Sequence, residues 1–430
     1  MLKRGFWGFS LLLWLGLGLA SPAQDLFDEA NRLLHTYYGG FAQLRAEELR
    51  SKYQLELDKA CAQEVTCPTQ RAHSVIQALV AEIGDRHTRY FTPEEYAEIQ
   101  QRLSGGNSSR PQLGVQLRVV PGLEGLLVVD VLSETPAEEA GLRRGDRILA
   151  INGEALPAAE AERMGFLRER VSEAPLTLTI QRAQARLQVV LYPRIISLRQ
   201  LPKLSLRPDG VAVLHIPSFS GYQQVGPRIH ALVRQAQSAG ARAMVVDLRN
   251  NGGGLLSECL VGAGAFVGET YRRLQDNLRV SEQGYKDGYY YHRAGGRDRP
   301  QYLVEPAQWS GPVVVLVNER TASCAEYFTF DLQENRKAIV VGQATAGVGN
   351  TATTFLRLSD GSGLQITTAK AQRKDGSFYP ERVIPDLILA EDWQALAEGR
   401  DLLLEKALEL LDTSPKAGGY GRVRAALPSG

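Results

Sequence analysis

Apolar residues change their spacing along the chain, and each change marks a different kind of structure. From Asp25 to about Leu103 they recur at three and four residues: Leu26, Ala30, Leu33, Leu34 and Tyr37, then Val75, Leu79 and Ile83. That spacing lines one helix face, so this region is predicted helical. Ser104-Gly105-Gly106-Asn107-Ser108-Ser109-Arg110-Pro111 breaks the pattern with linker composition. Short β-rich runs follow at Val115 to Val120 and Leu126 to Val131. A short helix is framed by Thr135 as cap, Pro136 in its first turn and Gly141 at its stop. Strand Arg147 to Ile151, a hairpin signal at Asn152-Gly153, helix Ala158 to Arg170, and strands Leu176 to Arg182 and Arg186 to Leu191 complete a small β-barrel-like unit.

From Val211 onward the pattern changes again. The apolar runs VAVLHI, AMVVDL, PVVVLV and AIVVGQ alternate with helical stretches around Val225 to Ala239, from Leu255 and from Ala322. Continuous apolar strands between helices indicate an α/β layer covered on both faces. A last helix is predicted over Arg400 to Leu411, followed by a tail expected to fray.

Composition narrows the function classes. Lys and Arg number 49 against 48 Asp and Glu, a net charge of +1, and no Lys/Arg block forms a phosphate-binding patch, so no nucleic-acid partner is expected. Lys3 and Arg4 precede the apolar run Phe6 to Ala20 and the small residues Ala20-Ser21-Pro22-Ala23, the layout of a secretory signal peptide. The run is shorter than the ~20 residues that span a bilayer, so an exported protein with no stable membrane span after cleavage is expected. Export permits disulfides. Cys61 and Cys67 enclose a short loop and are a candidate pair, two free thiols being the alternative, while Cys259 and Cys324 look like small core residues. No Cys or His pair has zinc spacing, so no metal and no cofactor is expected.

Two strand ends carry candidate chemistry. Asp247-Leu248-Arg249-Asn250-Asn251-Gly252-Gly253-Gly254 follows AMVVDL, and its glycines let backbone N–H groups point toward an oxyanion. The second, Asn318-Glu319-Arg320-Thr321-Ala322-Ser323-Cys324-Ala325-Glu326, follows PVVVLV. Ser323 and Glu326 have capping-box spacing; the same serine, at a helix start beside the N–H of Cys324, could be a nucleophile.

The segment from about Pro111 to Arg194 resembles a PDZ domain, with AEEAGLRRGDRILAINGEAL as its helix, turn and strand. The resemblance implies that Leu113, Gly114 and Val115 form a loop whose N–H groups cradle a peptide carboxylate. The longer stretch from about Leu26 to Leu411 resembles the carboxyl-terminal processing peptidases, or tail-specific proteases. The matching pieces are IGDRHTRYFTPEEY, VAVLHIPSFS, VVDLRNNGGGLL, VVLVNERTASCAEYF, VVGQATAGVGN, ITTAKAQRKDGS and VIPDL.

This resemblance implies an α/β multidomain fold: signal peptide 1–23, helical N-terminal region 24–106, inserted PDZ-like domain 111–194, α/β peptidase core 195–390, and C-terminal helix and tail 391–430. It implies a serine endopeptidase of periplasm, cell envelope or extracellular space that cuts unfolded or tagged proteins bound through apolar C-termini, and that can form a homo-oligomer. Ser323 takes the nucleophile position, and Cys324 with Gly252 or Gly253 the oxyanion hole. The family's catalytic lysine falls at the position of Val348, 25 residues after Ser323. His87 then becomes the favoured base, by similarity to tricorn-type peptidases, with Lys370 as the weaker alternative. The third reading is a degenerate peptidase that binds peptides without cutting them.

Overall fold

The computed structural model describes residues 21–412, so the signal-like segment before Ser21 and the tail after Asp412 lie outside the described residues. The predicted N-terminal helices are α1 (Pro22–Tyr37), α2 (Ala46–Cys61), α3 (Gln70–Glu82) and, after the short strand β1 (Arg89–Phe91), α4 (Pro93–Ser104). Thr92 and Glu95 form a capping box at the start of α4, and Gly105 ends it in the left-handed region at φ 72°. A Cys61–Cys67 disulfide closes the turn between α2 and α3.

The next unit contains β2 (Val115–Arg118), β3 (Leu126–Val131), α5 (Pro136–Glu139), β4 (Arg147–Ile151), β5 (Glu154–Ala155), α6 (Glu160–Arg170), β6 (Leu176–Arg182) and β7 (Ala185–Leu191). Its strands run β2-β3-β4-β6-β7, with β5 beside β4, and leave β2 at an edge. Leu126, Val128, Ile148, Ile151, Leu176, Leu178 and Ile180 fill a core of its own. The polar segment before it differs from a free linker. Asn107 bridges Ser197, Gln112 bridges Arg194, and the incoming and outgoing chains run antiparallel side by side.

The remaining elements are β8 (Lys203–Leu206), β9 (Val211–His215), α7 (Val225–Ser238), β10 (Ala243–Asp247), α8 (Leu256–Val267), β11 (Thr270–Gln275), β12 (Val280–Lys286), β13 (Tyr289–Ala294), β14 (Arg297–Leu303), β15 (Val313–Val317), α9 (Cys324–Glu334), β16 (Ile339–Gly342), β17 (Thr351–Arg357), β18 (Gly363–Gln372), β19 (Leu387–Ile388), α10 (Trp393–Ala397) and α11 (Leu402–Asp412). One six-stranded sheet, β19-β16-β15-β10-β9-β8, is parallel except at β8. Helices α7, α8 and α9 cover one face and α11 the other, which is why its strands read as unbroken apolar runs.

A second, antiparallel sheet joins the distant ends of the chain. β1 pairs with β18, and α1 and α3 pack on Leu364 and Ile366 of that strand. The helical N-terminal region is thus one body with the second sheet of the core. The PDZ-like unit docks through Leu123, Leu127 and Val129 against Leu396 and Ala397 of α10. Arg144 reaches Glu391 at 3.0 Å and Asp401 at 3.2 Å across the same contact. No helix of the described residues is long and apolar enough to cross a membrane.

Candidate active site

Two parallel strands, β10 and β15, deliver the two glycine- and serine-bearing turns side by side. The turns are stitched together by their own polar groups. Asn318 Oδ1 accepts from Asn250 N at 3.0 Å, Thr321 Oγ1 donates to Leu248 O at 2.9 Å, and Ala322 N donates to Asn251 O at 2.9 Å. Gly253 has φ +94°, and a Cβ there would lie 2.8 Å from Ser323 Cβ and 3.0 Å from Cys324 N. Only glycine permits this approach.

The two glycines predicted as oxyanion donors are not equivalent. Gly253 N–H already donates to Asn251 Oδ1 at 2.8 Å. Gly252 is exposed, and neither its N–H nor that of Cys324 donates a hydrogen bond among the described residues. Cys324 is also not a free core thiol: it is bonded to Cys259, 65 residues earlier, with the two Cα atoms 5.7 Å apart. The disulfide ties α8, which follows the glycine turn, to the start of α9. Both sulfurs are buried in the apolar layer under the sheet, so their surroundings match the sequence reading while their bonding does not.

Ser323 caps α9 in an uncommon conformation, φ 55° and ψ −117°. A non-glycine residue held there costs about 1–3 kcal/mol and persists only when neighbours enforce it. Ser323 and Glu326 form the predicted capping box, and Ser323 N donates to Glu326 Oε2 at 2.7 Å. Glu326 is fully buried and also accepts from Thr345 Oγ1, Gly347 N and Val348 N. Burial pushes its carboxyl above the usual range, and these bonds pull it back. Val348 is 8% exposed, its side chain apolar at the position where a lysine was expected.

His87 lies between α3 and β1 and is 7% exposed. Its backbone N–H donates to Asp85 Oδ1 at 2.9 Å, and its ring Nδ1 stands 2.9 Å from Thr351 Oγ1. Burial lowers its pKa to about 4, Asp85 opposing and Arg89 adding to the shift. Lys370 is the register partner of Thr351 across β17 and β18, so the two side chains share a face. Its ammonium lies 4.9 Å from the centroid of the Phe41 ring. Tyr327, one turn beyond Ser323, donates to Thr351 O at 2.8 Å. Both candidate bases therefore gather around Thr351, which sequence reasoning missed. Among the described residues no hydrogen bond joins the Ser323 hydroxyl to either of them.

In the PDZ-like unit, Gly114 has φ +81° and its Cα packs on Thr135, where a Cβ would meet Thr135 Cβ at 2.2 Å. Leu113 is buried, and Val115 opens the edge strand β2. Val115 and Leu117 pack on the same small core as Met164 and Leu167 of α6. Arg118, at the far end of β2, pairs with Glu319 at 2.9 Å and lies over the Trp393 ring.

Residues 210–389 match Peptidase family S41, and residues 127–182 match the PDZ domain family. The chain is 29% identical over 434 residues to a carboxyl-terminal-processing protease of Synechocystis sp., covering 95% of this chain and 93% of that protein. A carboxyl-terminal-processing protease of Picosynechococcus sp. is 29% identical over 357 residues, 79% of each chain. Among solved structures, the photosystem II D1 C-terminal processing protease aligns with TM-score 0.51 at 21% identity, over 92% of this chain and 98% of that one. A Bacteroides fragilis chain assigned to the S41 proteases aligns with TM-score 0.60 at 17% identity, over 89% and 97%. These last two likenesses speak to the fold. The chain thus carries a PDZ domain and a family S41 peptidase domain, in the mixed α/β fold of the carboxyl-terminal-processing proteases.

Proposed function

We propose that this protein is an exported serine endopeptidase that cuts unfolded or tagged proteins near their C-termini, after its PDZ domain captures the apolar terminal residues. Ser323 is the nucleophile, and the N–H groups of Cys324 and Gly252 receive the oxyanion. His87 is the base, oriented through Nδ1 by the Thr351 hydroxyl, and Gly114 lies in the carboxylate-binding loop. Lys370 has a less suitable setting, its ammonium resting over an aromatic ring.

One observation carries this reading: a serine at φ 55° on a helix N-terminus, with the glycine turn pressed against its Cβ and the next N–H unbonded. A serine hydroxyl fixed at such a place, beside free backbone donors, suits acyl transfer. The PDZ edge strand and the carboxylate loop suit an extended peptide ending in a free acid.

A peptide-binding protein without peptidase activity is the second reading, favoured by the buried, apolar Val348 and by a Ser323 hydroxyl that, among the described residues, makes no hydrogen bond to His87 or Lys370. The protein and its Ser323→Ala variant, incubated with an unfolded substrate ending in Ala-Ala, separate the two. Cleavage by the first alone supports the peptidase. Equal absence of cleavage in both removes it and leaves peptide binding.

A further inference from the structure

We infer that Glu326 is a positioning residue for catalysis: its buried carboxylate tethers the Ser323 peptide to the 345–348 loop and so holds the nucleophile's turn in register with β17, whose Thr351 hydroxyl orients the proposed base His87. The inference rests on the proposed role of Ser323. A plain capping box needs one acceptor at the helix N-terminus. Glu326 does more. Oε2 accepts from Ser323 N at 2.7 Å and Val348 N at 3.1 Å, and Oε1 from Thr345 Oγ1 at 2.5 Å and Gly347 N at 3.0 Å. Four donors saturate the lone pairs of an ionised carboxylate. Fully buried, it has no water with which to replace a lost partner.

The four partners come from two separate segments. One is the N–H of the residue held at positive φ, and the other three belong to the loop that leads into β17 and Thr351, the partner of His87 Nδ1. Further bonds anchor that loop: Ala346 N donates to Thr321 O at 3.0 Å, Val383 N to Thr345 Oγ1 at 2.9 Å, Thr345 N to Val383 O at 3.2 Å, and Arg86 Nη1 to Ala346 O at 3.2 Å. Glu326 touches no reacting atom. It acts through Ser323 on one side and through the loop on the other.

Glu326→Gln keeps the shape but replaces one acceptor oxygen with an NH2 group. With its NH2 toward Ser323 N and Val348 N, the amide sets two N–H donors against a donor; turned the other way it faces Gly347 N, and the Thr345 hydroxyl must give up its role as donor. Peptide cleavage and the rate of Ser323 labelling by a fluorophosphonate are measured together, with PDZ-peptide affinity as control. The expected result is a fall in kcat and in labelling rate of tenfold or more, with KM and peptide affinity within twofold of wild type. Unchanged labelling would overturn the tether, and so would a loss seen only in KM. Thr345→Val removes one donor and leaves the charge, so it serves if Glu326→Gln does not fold; it should slow labelling severalfold, and an unchanged rate counts against the proposal. If wild type itself neither cleaves nor labels, the peptidase reading fails. The tether is then tested by amide exchange: Ser323 and Val348 should exchange at least tenfold faster in Glu326→Gln, and equal rates would overturn it.

Discussion

The Thr351 hydroxyl lies 2.9 Å from Nδ1 of His87, joining a residue before β1 to the first residue of β17, 264 positions later. With Nδ1 so occupied, Nε2 is the ring nitrogen left for a substrate or a serine. The proposed base uses the tautomer in which Nδ1–H donates to Thr351 and Nε2 keeps its lone pair.

The pH profile follows from the burial of His87. A free histidine titrates near ~6.5, whereas His87 is pushed down to about 4. A base works in its neutral form, so kcat/KM should stay level from pH 7 to pH 5 and fall as pH drops through about 4. His87→Gln should remove most activity, and Thr351→Val should lower kcat roughly tenfold. A fall centred near 6.5, or full activity in His87→Gln, would exclude this base.

Stability should depend on pH through the same residue. His230 is fully buried, between Val261 O and Ala307 N, and is also lowered to about 4 by burial. When folded pKa values lie below the unfolded one, the stability these groups contribute is complete above ~6.5 and is lost as pH falls toward 4. Each should contribute about 2 kcal/mol of loss between pH 7 and pH 5, read from urea unfolding. Replacing either with glutamine should reduce that pH dependence.

Two neighbouring glycines should respond oppositely to alanine. Gly253→Ala places a methyl within 2.8 Å of Ser323 Cβ at φ +94°, and should lower activity at least a hundredfold and stability by about 2 kcal/mol. Gly252 has nothing within 4 Å of an added Cβ, so Gly252→Ala should keep the fold and most of the activity. Steady-state kinetics and thermal unfolding of both variants check this.

The Cys259–Cys324 disulfide closes a loop of 65 residues, far longer than the loop of Cys61–Cys67, with a separation of 6. Loop-closure entropy gives about 4 kcal/mol for the longer loop and about 2 kcal/mol for the shorter. Serine pairs at each should show that order in denaturant unfolding. Only the Cys259/Cys324 pair should also slow Ser323 labelling, because only it holds the start of α9.

The parallel core was legible because its strands are buried on both faces: AMVV, before the terminal Asp247 of β10, and VVVLV are apolar runs. The Ser323 turn was legible because caps are local, written in four consecutive residues. Its partners were not. Nothing near Cys324 in sequence points to Cys259, and nothing near His87 points to Thr351, since such pairings arise only when distant strands meet. The polar segment before the PDZ domain read as a linker because its bonding partners, Arg194 to Leu198, come after the whole domain.

That side-by-side crossing makes the PDZ domain an excisable part of the chain. Its two connecting segments run antiparallel and are joined by isolated β-bridges, so the cut ends lie about one strand spacing, ~4.8 Å, apart. A turn of a few residues could close the peptidase core without the domain, and another module could be set on the same stem. The paired segments also act as a two-stranded stalk, so any rotation of the domain twists both connections together.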